Sequence, residues 1–231
     1  DFSDLAFVKA RRAKKLKEDS PESIFHFPGM ETWEQAQERI DDFLKEVLPK
    51  HKSEHVLVIT HADLIRNITH FMNKTDPMKL SHQPYPQVAQ PHTFFWDHLN
   101  NAQMDLHKHN TDDITWSDSD EEGVEIVFVR HGETYENTKR IIQGHSQNEL
   151  NDKGKSQAEE TAKKLKNEKL DAVVTSDLKR CVQSAEIITK KLGIKIDQEM
   201  PELRERKFGK LEGKTIKELA PDKEMPTDGK S

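Results

Sequence analysis

Cys181 is the only cysteine among 231 residues, so an internal disulfide cannot form and a reducing compartment is the expected setting. No run approaches the roughly 18 apolar residues of a membrane span. The opening residues, Asp1-Phe2-Ser3-Asp4, lack the basic and apolar regions of a signal peptide. These absences predict a cytoplasmic protein without a membrane partner. Excess positive charge is missing too: 36 Lys and Arg stand against 42 Asp and Glu, a formal net charge of −6 with twelve His neutral. Nucleic acid is therefore not an expected partner, because phosphate backbones call for a basic face. The chain also lacks the Gly-x4-Gly-Lys-[Ser/Thr] stretch of a P-loop.

What is present points to an α/β protein. The length suits one α/β domain or two small ones and can bury a full core. Charged residues make up 34% and hydrophobic ones 33%, so the surface must be heavily charged. His55–Thr60, Glu125–Arg130 and Asp171–Thr175 are short, nearly continuous β-branched runs, as expected of strands covered on both faces. Ile194–Asp197 is a weaker strand candidate, and Phe94–Leu99 reads as an edge strand. Helical spacing links Trp33, Ala36, Ile40, Phe43, Leu44 and Val47, with Thr32 and Gln35 forming a capping box. Further helices are marked by Leu64–Met72, by Ala158, Ala162 and Leu165, and by Leu178, Cys181, Ala185, Ile188 and Leu192. Strands alternating with helices imply a mostly parallel sheet.

The acidic, aperiodic stretch 100–123 reads as a linker, and 220–231 as a fraying end. His107 and His109 lie in that linker without Cys or ordered carboxylate neighbours, so no metal site is expected there. Lys9–Lys15 is a basic cluster whose default reading is a solvated helix face.

Three predicted strands run straight into reactive polar residues. Thr60 leads to His61, Arg130 leads to His131, and Thr175 leads to Ser176 with Arg180 in the next helical turn. Ligands of open parallel sheets bind beyond the carboxyl ends of strands. Topology alone thus brings two His and two Arg to one sheet edge, where helix N-termini also favour anions. A phosphoryl group fits such a site, held by forked guanidiniums and imidazoles. Taken singly, each residue is better explained as a cap or a surface charge; the joint pattern is not. Gly132 would let the backbone approach a ligand closely.

These residues carry a resemblance. Val129-Arg130-His131-Gly132-Glu133-Thr134, with Asn137, resembles the signature of the histidine phosphatase (phosphoglycerate mutase-like) superfamily. Ser176–Ala185 is similar to that family's second arginine motif, Leu203–Gly213 to its acid-bearing loop, and Ile59–Arg66 to its second-histidine motif. Gly29-Met30-Glu31-Thr32 is similar to its Gly-Gly-Glu-[Ser/Thr] helix start. The resemblance implies a three-layer α/β/α fold with a mostly parallel sheet, and phosphoryl transfer through a phosphohistidine without cofactor or metal. His131 would be the nucleophile and Glu205 the acid and base. His61, Arg130, Asn137 and Arg180 would hold the phosphoryl oxygens. Glu202 and Glu212, near Glu205, read as surface residues. Glu133 is a supporting acid or a turn stabiliser, and Asp63 a helix-start residue favoured by the dipole.

The order of the motifs is unusual for that family. The second-histidine half occupies 1–99, the linker 100–123, and the Arg-His-Gly half 124–231, as in a circular permutant of one domain. A piece spanning two tandem repeats and an engineered permutant are the alternatives. Leu203–Lys214 and Gly29–Thr32 look closest to the fructose-2,6-bisphosphatase-like branch. The expected function is a phosphatase for small phosphorylated metabolites, such as sugar bisphosphates. Mutase-type phosphoryl transfer and a silent phospho-ligand-binding module are the alternatives.

Overall fold

In the computed structural model, the described residues are 29–72, 86–97 and 123–219. The Lys9–Lys15 cluster, His107 and His109, residues 100–122 and the 220–231 end lie outside them. In chain order the elements are α1 (Trp33–Glu46), β1 (His55–Thr60), α2 (Ala62–Met72), β2 (Pro91–Asp97) and β3 (Gly123–Arg130). There follow α3 (Tyr135–Thr138), α4 (Asp152–Lys164), β4 (Ala172–Ser176), α5 (Lys179–Leu192), β5 (Gln198–Met200) and α6 (Ile216–Leu219). One five-stranded sheet has the order β2-β3-β1-β4-β5, parallel except for the antiparallel edge strand β2.

Alternation along the strands divides the core into two layers. Val56, Val58, Ile126, Phe128 and Val174 pack toward Ile40, Phe43 and Leu44 of α1 and Leu64, Ile65 and Ile68 of α2. Leu57, Ile59, Val127, Val129 and Val173 pack toward Ala158 and Ala162 of α4 and Cys181, Ala185 and Ile188 of α5. Helices on both faces of a mostly parallel sheet make the three-layer α/β/α architecture that the family resemblance implied. The capping box at Thr32 is present as read: Thr32 Oγ1 accepts from the Gln35 amide at 3.1 Å, and Gln35 Oε1 accepts from the Thr32 amide at 2.9 Å.

Three boundaries differ from the sequence reading. Gly123, assigned to the linker, is the first residue of β3, where it pairs with Asp97. The edge strand starts at Pro91, ahead of the predicted Phe94, and runs Pro91–Asp97, while residues 98 and 99 of the predicted strand lie outside the described residues. Ile194–Asp197 is not a strand; pairing with β4 starts at Gln198 and lasts three residues. Asp197 marks the entry, its amide donating to Val173 O and its carboxylate accepting from the Val173 amide. A three-residue edge strand carries too little periodicity to be found by pattern.

Register positions the site. Thr60 is paired with Arg130, and Ile59 with Thr175, so the carboxyl ends of β1, β3 and β4 lie level. The residues that follow them, His61, His131 and the Asp177–Arg180 turn, must then meet at one sheet edge.

Candidate active site

His61 and His131 leave adjacent parallel strands and are buried, and their rings meet edge to face with centroids 5.3 Å apart. The His131 amide donates to Thr60 O at 3.0 Å, which ties the two strand ends together. His131 Nδ1 lies 2.8 Å from Gly132 O. A carbonyl only accepts, so Nδ1 carries the proton and Nε2 is left with its lone pair. That lone pair faces Arg180 Nε at 3.3 Å. Burial first, then the charges of Arg180 and Arg130, hold the His131 imidazole well below its ordinary pKa. His131 is therefore a neutral imidazole at physiological pH, its ring oriented by Gly132 O.

His61 is also held well below its ordinary pKa, by burial and then by Arg180, His131 and Arg130. Its Nε2 lies 3.0 Å from Ser176 Oγ and 3.3 Å from Cys181 Sγ. Burial pushes the Cys181 thiol strongly upward, so the chain's single cysteine is an inert packing group against the His61 ring.

Arg180 is among the largest fully buried side chains, and its other nitrogens are fixed on a loop: Nη1 donates to Ser146 O and Nη2 to Gly144 O, both at 2.8 Å. Arg130 Nη1 donates to Pro86 O at 2.9 Å, and the Arg130 charge lowers both histidines. Asn137 is the member tied elsewhere. It closes a capping box with Thr134, whose amide donates to Asn137 Oδ1 at 3.0 Å.

Glu205 sits close enough to Asp63, Arg180 and Arg130 to feel their charges. Burial raises its carboxyl to about 7, the nearby Asp63 charge adds to this, and Arg180 opposes it. Its Oε1 accepts from the Arg206 amide at 3.0 Å. Asp63 is thus more than a helix-start residue. It is buried in the first turn of α2, 3.5 Å from Arg66 Nη1 and 3.8 Å from Arg206 Nε, close enough for its charge to act on Glu205. Glu133 resolves as a turn stabiliser, with Asn151 Nδ2 and Lys153 Nζ each 2.9 Å from its carboxylate. Glu212 Oε1 accepts from the Phe208 amide at 3.0 Å, so it braces the acid loop. Among the described residues no group of three or more His, Cys, Asp or Glu is arranged to hold a metal ion.

The glycine after His131 has a steric cause. A Cβ on Gly132 would fall inside 3.0 Å of the Gly154 backbone at the start of α4, which cannot shift cheaply. Gly132→Ala is expected to lower unfolding stability by about 1–3 kcal/mol and to weaken activity with it. A urea-unfolding midpoint equal to wild type would contradict that packing argument.

Sequence reasoning missed His145, whose Nε2 donates to Glu205 O at 2.8 Å, and Ser184, whose Oγ accepts from the Gly132 amide at 3.0 Å. His145 belongs to none of the motifs, and Ser184 lies within the 176–185 motif without a role assigned to it there. His145 lies on the loop between α3 and α4, and Ser184 is one small residue on a helix face.

The model of the histidine phosphatase superfamily (branch 1) matches residues 4–92 and 126–228. Phosphoglycerate mutase-like protein 4 of Arabidopsis thaliana is 45% identical over 97 residues, 42% of each chain. The probable phosphoglycerate mutase GpmB of Yersinia enterocolitica is 39% identical over 102 residues, 44% of this chain and 47% of its own. The matched region spans less than half the length of these curated relatives. A phosphoserine phosphatase of Entamoeba histolytica, solved with 3-phosphoglyceric acid, is 34% identical, with 39% of this chain and 44% of that one covered at a TM-score of 0.36. No helix among the described residues is long and apolar enough to cross a membrane. With the family model matched over residues 4–92 and 126–228, most of its length, this chain belongs to the histidine phosphatase superfamily.

Proposed function

We propose that this chain hydrolyses small phosphorylated metabolites through a phosphohistidine at His131. The observation that carries the reading is the His131 ring, fixed by Gly132 O with an unprotonated Nε2 aimed at the site. In the first step Nε2 attacks phosphorus in line and the bond to the ester oxygen breaks. That oxygen takes the Glu205 proton and leaves as an alcohol. Arg130, Arg180, His61 and Asn137 stabilise charge on the equatorial oxygens. In the second step water attacks the phosphohistidine, the P–N bond breaks, and the Glu205 carboxylate takes the water proton. Phosphate leaves, with His131 neutral and Glu205 protonated again.

The substrate class we favour is a sugar bisphosphate or bisphosphoglycerate, from the likeness to the fructose-2,6-bisphosphatase-like branch. Mutase-type transfer is the second reading, favoured by the names of the curated relatives. We further propose that the order of the motifs is a circular permutation. Two facts support it: the family model matches in two separate blocks, and β1 from the first block pairs between β3 and β4 of the second. A screen of phosphorylated metabolites tests the function. Release of inorganic phosphate supports hydrolysis, return of the phosphoryl group to a second substrate hydroxyl supports a mutase, and no turnover of any ester contradicts both.

A further inference from the structure

The loop that carries Glu205 is fastened by two residues from far away in the chain. Arg39, on α1, grips Glu31 with both arms of its fork, Nε to Oε1 at 2.6 Å and Nη2 to Oε2 at 2.8 Å. Its remaining nitrogen, Nη1, donates to Glu202 O at 2.5 Å and to Arg204 O at 3.2 Å. Glu31 holds the far side of the same loop. Its Oε2 accepts from the Lys207 amide at 3.1 Å, and its own amide donates to Lys207 O at 2.9 Å. Four backbone groups between 202 and 207 thus end on residues 31 and 39, two on each side of Glu205. The Glu31 side chain is 12% exposed and the Arg39 side chain 22%, so the pair is screened from solvent. Burial pushes the Glu31 carboxyl up, but Arg39 and the Lys207 amide more than offset this, and the pair stays ionic.

We infer that the Glu31–Arg39 ion pair is a positioning device for general acid–base catalysis, holding the 202–207 backbone so that the Glu205 carboxyl meets the leaving oxygen. A salt bridge that served only the fold would need neither the forked grip nor the carbonyls on both flanks of the acid. Lysine cannot replace this arginine, because one ammonium cannot serve two carboxylate oxygens and two carbonyls in a fixed plane. A backbone displacement near 1 Å at a catalytic group can cost about 100-fold in rate.

The inference rests on Glu205 as the acid, and a leaving-group comparison separates the two claims. An aryl phosphate such as p-nitrophenyl phosphate leaves with little protonation, whereas glycerol 2-phosphate needs a proton. In the full chain, Arg39→Lys and Glu31→Gln are each expected to lower kcat/KM for glycerol 2-phosphate by about 10–100-fold. The same variants should leave kcat/KM for p-nitrophenyl phosphate, which reports the phosphorylation step alone, within about threefold of wild type, and Glu205→Gln should lower kcat/KM far more for glycerol 2-phosphate than for p-nitrophenyl phosphate. Two variants are used so that one failing to fold does not decide the matter, and thermal unfolding reports on each. If Glu205→Gln separates the two esters but neither clamp variant does, the clamp inference is overturned alone. If Glu205→Gln fails to separate them, the acid assignment falls and the clamp role falls with it. If both esters fall together in the clamp variants, the pair is structural only.

Discussion

His131→Ala is expected to abolish turnover, lowering kcat by at least about 1,000-fold, and to remove the acid-labile phosphoryl label that wild type acquires. The size follows from the mechanism. Removing the nucleophile leaves only binding and charge stabilisation, and among the described residues no second imidazole is placed to substitute. His61 is 5.3 Å away between ring centroids, and its Nε2 is engaged with Ser176 Oγ. The variant should stay folded, because its Cβ fits where the histidine Cβ was. Its cost is the cavity and the lost Gly132 O bond. Mass spectrometry at alkaline pH, where phosphohistidine survives, is the direct readout. Label retained in His131→Ala would show that another residue is the nucleophile.

Glu205→Gln should lower kcat/KM for alkyl phosphates by about 100- to 10,000-fold, the usual range for general acid catalysis. In wild type the pH profile carries the same information. The Glu205 carboxyl titrates at about 7, so the proton it donates is lost as pH rises through that value, and alkyl phosphate hydrolysis declines there. The acidic limb belongs to His131, which must be neutral; burial, Arg180 and Arg130 hold it well below the ordinary 6.5, so activity persists into mildly acidic solution. Asp63→Asn removes a neighbouring negative charge and should move the declining limb to lower pH. Linkage has the matching sign. A carboxyl raised from 4.5 to about 7 on folding binds more protons in the native state across that window, so the stability it contributes is present below 4.5 and lost as pH climbs through about 7. A profile for alkyl phosphates flat from pH 6 to 8 would contradict the assignment.

Much of this site was legible because its carriers are local. Val56–Thr60 and Ile126–Val129 are apolar runs that end abruptly in His61 and Arg130-His131, and a doubly covered strand has no other pattern. Thr32 and Gln35 announced a helix start by chemistry confined to four residues. What could not be read is what depends on distant partners. The raised Glu205 carboxyl owes part of its shift to Asp63, on another element entirely. Arg39 meets Glu202 across 163 residues, and no spacing rule connects them. Asp63 read as a helix-start residue because the dipole argument is local, while its opposition to Glu205 is tertiary. The edge strand at Gln198–Met200 could not be read because three residues, Gln-Glu-Met, carry no alternation of their own and are fixed only by pairing with β4.

The proposed site requires two imidazoles and two guanidiniums, from residue 61, residues 130–131 and residue 180, to surround one tetrahedral anion. A crystal structure of the full chain soaked with orthovanadate tests this most directly. The account predicts one vanadate with vanadium bonded to His131 Nε2 and its oxygens within hydrogen-bond reach of Arg130, Arg180 and His61. Vanadate bound elsewhere, or held at this edge without His131, would contradict it.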